Sequence, residues 1–315
     1  MAQATSSQPA FKQEQTFSKY SEEQGKQYAQ IRRNYHSSVY DCILSHHKAT
    51  GGQFDYLLDV GCGPGTAIRS LSGDFTHATG LDPSDGMLSV ARSLGGQTAA
   101  SEAIRFEVST SQELGSNLSP PVADSSVDLI TAANAAHWFN MAEFWPAAAR
   151  VLKPGGSVAI WTSGEIRAHP DMPNAAKIQA AMYQWEEDNL KPYMETGSLL
   201  TRNRYRDLPL PWTLATCVNE FDQDSFFRRE WALGEQFYQP EGEVDLDMFE
   251  KMMATGSAVT RWRQAHPDAV GTEEDVIRQL RRVFEKLLHE AGVEPGKEKV
   301  KGNVAGVVLI VKKKA

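Results

Sequence analysis

Leu58-Asp59-Val60-Gly61-Cys62-Gly63-Pro64-Gly65 decides the fold. An apolar strand, Tyr56 to Val60, runs into three alternating glycines, and residues 66–71 can begin a helix directly behind them. Gly61, Gly63 and Gly65 permit backbone angles and close approaches that a side chain would block. Outward from this turn, apolar strand segments recur at 77–81 (closed by Asp82), 104–108, 127–133 and 157–161. Helical spacing falls between them at 85–94 and 141–152, where Pro146 is expected to kink the second helix or mark a late start. The 127–133 segment is almost wholly apolar, as a strand covered on both faces must be. Lys153-Pro154-Gly155-Gly156 is expected to turn. Such alternation predicts an α/β fold, a doubly wound and mainly parallel sheet with helices on both faces. Ligands of such sheets bind beyond the carboxyl ends of the strands.

The flanks are less regular. Residues 1–16, rich in Gln, Ser, Ala and Thr, are expected to be a disordered leader. Residues 17–50 form an N-terminal helical segment, with one amphipathic helix predicted over 20–47 from the spacing of Tyr28, Ile31, Tyr35, Val39 and Ile43. The core is assigned to 51–163. Residues 164–265, full of aromatics and prolines, are expected to form an inserted helical cap. Residues 266–315 should return to the core through a helix over 272–291, with Thr272 able to cap it, and a strand over 304–311. Lys312-Lys313-Lys314 is expected to be a solvated strand terminus.

Composition excludes several classes. The net charge of −8 and the lack of a long basic patch argue against a nucleic-acid surface. Three scattered cysteines suit neither a disulfide framework nor a zinc site, so no metal is expected. No apolar run reaches the length of a membrane span, and a cytoplasmic location is the expectation.

The chemistry starts at the glycine turn. Asp82 follows Gly61 by 21 residues, at the end of the next strand, where a carboxylate can accept both hydroxyls of a ribose. Dinucleotides and S-adenosylmethionine both use this geometry. The dinucleotide pattern G-x-G-x-x-G requires glycine at 66, where Thr66 stands. The pattern present is G-x-G-x-G preceded by Asp59, and an acid there suits the ammonium of S-adenosylmethionine, directly or through water.

The sequence resembles the class I S-adenosylmethionine-dependent methyltransferases over roughly residues 54–162, through LDVGCGPG, GLDPS with Met87, and LKPGG at 152–156. It resembles most the small-carboxylate branch typified by trans-aconitate methyltransferase and its fungal relatives. That likeness rests on Ala136-His137-Trp138-Phe139, on Tyr28 with Arg32 and Tyr35, and on Thr255-Gly256-Ser257-Ala258 with Trp262. Gly256 stands where the branch carries a tryptophan, a change expected to enlarge the acceptor pocket. Ser109-Thr110-Ser111 replaces the family's acid after the third strand, leaving hydroxyls or backbone to serve the adenine. The resemblance implies a Rossmann-like fold and a set of roles. Gly61, Gly63 and Gly65 would line the methionine part, Asp82 the ribose, Met87 the adenine. Tyr28 and Arg32 would fold over the cofactor, with Arg32 near its carboxylate, and Asn134 and His137 would face the sulfonium.

Methyl transfer is an in-line displacement, so the protein aligns donor and acceptor and excludes water. A carboxylate acceptor, already ionised, needs no base. A hydroxyl acceptor is helped by one, and His137 is the candidate, its alternative being a packed histidine that orients the loop. Arg202, Arg204 and Arg206 are candidates to meet an anionic acceptor. The expected function is methyl transfer to a small molecule, by O-methylation of a carboxylate or hydroxyl of an organic acid or specialised metabolite. Two other readings stay open: a protein of this fold that holds S-adenosylmethionine without transferring methyl, and a dehydrogenase.

Overall fold

The alternation expected around the glycine turn is present in a computed structural model, which describes residues 14–239 and 242–315. Strands β1 (Tyr56–Val60), β2 (His77–Asp82), β3 (Arg105–Val108), β4 (Val127–Ala133) and β5 (Leu152–Ala168) pair in parallel. A longer strand β6 (Phe221–Trp231), a short pair β7 (Val244–Asp245) and β8 (Lys299–Val300), and β9 (Gly302–Lys313) complete the set. The main sheet runs β3-β2-β1-β4-β5-β9-β6, with β9 antiparallel to both neighbours. It is a Rossmann-like, mostly parallel seven-stranded sheet.

Helices cover both faces. On one, α2 (Ser37–Ala49), α3 (Thr66–Leu71) and α4 (Asp85–Leu94) bury Val39, Ile43, Ile68, Leu71 and Leu88 against Leu57, Leu129 and Trp161. On the other, α5 (Met141–Val151) buries Phe144, Trp145 and Ala148 against Leu58, Ile130 and Val158. β4 is buried from Val127 to Ala132, as its apolar run required. Pro146 lies inside α5, which continues through it. A third apolar cluster joins α6 (Ala175–Asn189), α8 (Leu246–Ala254), α9 (Ser257–Ala265) and α10 (Val276–Glu290); α7 (Thr196–Arg202) lies over the loop after β4.

Several expectations are corrected. The single N-terminal helix is two, α1 (Glu22–Ile31) and α2. Arg32 leaves α1 in an extended conformation, Tyr35 forms a β-bridge with Tyr238, and His36 caps α2 by accepting from the Ser38 amide. Long-range pairing overrides local periodicity there. Of the expected leader, residues 1–13 lie outside the described residues. Glu14 and Thr16 are buried, and the Glu14 carboxylate accepts from the Phe17 and Ser18 amides. The 153–156 turn is absorbed into β5 as an irregularity in its pairing with β4. β6, inside the expected helical cap, extends the main sheet, whereas α10, assigned to the core, packs with the cap. Asp275 rather than Thr272 caps α10, accepting from the Ile277 amide. Of the terminal lysines only Lys314 is exposed as expected. Lys312 is buried with its Nζ 3.4 Å from Ser157 Oγ, and Lys313 donates to the Ala149 and Leu152 carbonyls. Among the described residues no helix is long and apolar enough to cross a membrane.

Candidate active site

The carboxyl ends of β1 to β4 open on one cavity of about 290 Å³. Gly61 and Gly63 stand on its wall with φ of +66° and +53°. A Cβ on Gly61 would lie 2.6 Å from that of Ala135, whereas the space beside Gly63 is open. The turn is thus held tightly on one side and bare on the other, as a loop must be when a ligand lies against its backbone. Gly65 precedes α3 and does not line the cavity.

Asp82 ends β2 on the wall. Its Oδ2 accepts from the Gly63 amide at 2.8 Å and its Oδ1 from the Ser84 amide at 2.9 Å. Burial pushes its carboxyl up to about 6, against the pull of those two amides. Asp59 sits behind the turn, fully buried and off the cavity wall, accepting from Thr131 Oγ1 at 2.6 Å. Its other oxygen has no hydrogen-bond partner among the described residues, and burial pushes it up to about 7, offset by the Thr131 hydroxyl.

Met87, buried at the start of α4, and Ser109 and Ser111 after β3 continue the wall. The Ser109 hydroxyl is engaged within its own loop, donating to Asn117 Oδ1 and accepting from the Gly115 amide. Tyr28 and Arg32, at the end of α1, form the roof. The Arg32 guanidinium lies 5.0 Å from the Tyr28 ring centre and donates to the Thr255 carbonyl at 3.3 Å, tying roof to cap.

Asn134 lines the cavity after β4 with φ of +50°, a conformation asparagine tolerates better than most residues. Its Oδ1 accepts from Thr162 Oγ1 and the Ser163 amide, and its Nδ2 donates to the Tyr238 hydroxyl at 2.9 Å. Tyr238 and Ser163 also stand on the wall, and neither was singled out from the sequence. Tyr238 has no local signature, because only the fold brings it to Asn134.

His137 is not on the wall; Trp138 and Phe139 are. Its Nδ1 shares a hydrogen bond with the Tyr205 hydroxyl at 2.7 Å, and burial lowers its pKa to about 3. Arg202 pairs with Glu186, while Arg204 and Arg206 both pair with Glu230, and none of the three lines the cavity. Gly256 is also off the wall; the neighbouring Thr255 is on it. The space expected from the lost tryptophan therefore does not open into the cavity at Gly256.

These residues fit S-adenosylmethionine. A bare glycine turn, a buried acid at the second strand end, a methionine beside it and a cationic roof surround one space. A family model described as a methyltransferase domain matches residues 58–160. Over 262 residues the chain is 24% identical to the probable S-adenosylmethionine-dependent methyltransferase CRG1 of Saccharomyces cerevisiae, covering 81% of this chain and 86% of that protein. It is 30% identical to methyltransferase cfoB of Aspergillus candidus over 171 residues, 53% of this chain and about half of the relative (51%). A solved structure of a candidate type II methyltransferase from Anaeromyxobacter dehalogenans superposes with a TM-score of 0.57 at 21% identity, covering 90% of this chain and 97% of that one. Glycine turn, strand-end acid and family match agree: the chain is a class I S-adenosylmethionine-dependent methyltransferase.

Proposed function

We propose that the chain O-methylates the carboxylate of a small organic acid, as in the branch typified by trans-aconitate methyltransferase and its fungal relatives. The observation that carries this reading is that, among the described residues, no histidine stands on the cavity wall and the two carboxylates there, Glu14 and Asp82, are each held by backbone amides. A carboxylate oxygen reaches the donor already ionised and needs no general base, whereas a hydroxyl acceptor would gain from one. The bound cofactor supplies a methyl on a sulfonium: the methyl–oxygen bond forms as the methyl–sulfur bond breaks, the electron pair stays on sulfur, and no proton moves.

The chain's own residues bind, orient and exclude water. Gly61 and Gly63 leave room for the methionine part, with Gly65 starting the helix that holds the turn. Asp82 accepts the ribose hydroxyls, Met87 packs on the adenine, and the loop of Ser109 and Ser111 bounds its edge. Arg32 meets the cofactor carboxylate under the Tyr28 roof. Asp59, behind the turn and off the wall, holds β1 to β4 through Thr131 and acts on the ammonium only at a distance, once ionised above about pH 7. Asn134, fixed by Thr162, Ser163 and Tyr238, presents a polar wall to the acceptor. His137 becomes a positioning residue, setting the loop that carries Trp138 and Phe139.

Incubation with methyl-labelled S-adenosylmethionine and a panel of organic acids tests this. The expected product carries label that mild alkali releases as methanol, the mark of an ester. Label that survives alkali would shift the reading to a hydroxyl, and an unchanged methyl count would replace it with a non-transferring role.

A further inference from the structure

The cavity does not end at the strand tips. Past Asn134 and Ser163 it runs between the long β5–β9 ladder and the cap, where Met172, Met182, Met252, Met253, Phe249 and Phe284 stand on its wall. All of these but Met252 belong to the cap's apolar cluster, so this lobe is a gap in hydrophobic packing rather than a polar cleft. Interiors normally close to crystal-like density, and an apolar void that stays open favours apolar ligands. Thioether side chains, unbranched and polarisable, adapt to such a ligand's shape.

Farther along the ladder, Arg167 and Lys301 line the cavity, beside the pairs Arg167↔Asn303 and Ala168↔Gly302. Arg167 reaches Glu165 only at 3.7 Å, and Lys301 reaches Asp171 only at 3.5 Å. Long ion pairs on partly exposed side chains are cheap to exchange for another anion. From Ser163 to Arg167 the strand climbs about 13 Å at the usual rise, less what its irregular pairing absorbs.

We propose that the acceptor is an elongated amphipathic diacid. One carboxylate lies beside Asn134 and Ser163, an apolar chain or ring crosses the methionines, and a second anionic group meets Arg167 and Lys301. A compact polyacid would leave the methionine lobe unfilled and its own charges against apolar walls, an unfavourable burial. This inference rests on the methyltransferase reading and narrows its substrate.

Calorimetry on the full chain saturated with S-adenosylhomocysteine tests it with sebacic, decanoic and citric acids. Sebacate should bind at least tenfold more tightly than citrate, with decanoate between them. The double variant Arg167→Ala/Lys301→Ala should bring sebacate down to decanoate's affinity while leaving decanoate and S-adenosylhomocysteine unchanged. Met253→Glu should weaken both long acids, with S-adenosylhomocysteine affinity reporting that the fold is intact. Citrate binding as tightly as sebacate, no sebacate binding, or a double variant that leaves sebacate untouched would overturn the proposal. Failure of S-adenosylhomocysteine itself to bind would sink the methyltransferase reading, and this inference with it.

Discussion

Asp82 is held by two amide donors yet lies so deep that its carboxyl titrates near 6. Above that value it is a carboxylate able to accept ribose hydroxyls; below it, the neutral acid offers fewer acceptor sites. Asp59, near 7 through the same burial, adds a second step of the same sign. Affinity for S-adenosylhomocysteine should therefore rise from pH 5 to pH 8, as calorimetry can measure. Asp82→Asn should bind at least tenfold more weakly at pH 8 and lose the lower step. At His137 the device is different. Arg204 and Tyr205 both adopt left-handed backbone, with φ of +54° and +56°, a strain of order 1–3 kcal/mol each. That segment delivers the Tyr205 hydroxyl to His137 Nδ1. Tyr205→Phe leaves a buried nitrogen without its partner, at about 1–3 kcal/mol. It should lower the melting temperature and kcat while KM for the cofactor stays unchanged; a raised KM with unchanged kcat would assign the pair to the donor side.

Backbone meets backbone where α1 crosses α4. A Cβ on Gly86 would lie 2.1 Å from the Tyr20 carbonyl oxygen, and one on Gly25 would lie 3.0 Å from that of Gly86. Two glycines thus bring backbone against backbone, and Tyr28 and Arg32 reach the cavity from the helix so placed. Gly86→Ala suits helical geometry but not this crossing, so it should lift α1 while the sheet stays folded. The expected result is at least tenfold weaker S-adenosylhomocysteine binding, with far-ultraviolet circular dichroism unchanged. Unaltered affinity would mean that the roof contributes little to holding the cofactor.

Across the molecule, what was legible in the sequence is what short-range spacing dictates. The glycine turn, Asp82 and the strands β1, β2 and β4 each follow from a few consecutive residues, and so does the wall they build. The break at 32–36 was not legible, because Tyr35 pairs with Tyr238, far along the chain. β6 was hidden for another reason. An outer strand carries polar side chains, and Asp222, Asp224, Arg228, Arg229 and Glu230 mask its alternation. The methionine lobe is scattered over a loop and three helices, although the adjacent Met252 and Met253 were a clue. The roof itself has a temporal meaning. It is anchored on α4, on the Thr255 carbonyl and through the Tyr35 bridge, so the proposed role of Tyr28 and Arg32 over the cofactor makes release of the spent cofactor depend on these contacts parting. Opening of such a cover commonly sets turnover. Steady-state rate should then fall as added glycerol thickens the solvent, while the methyl-transfer burst in a single-turnover experiment stays unchanged.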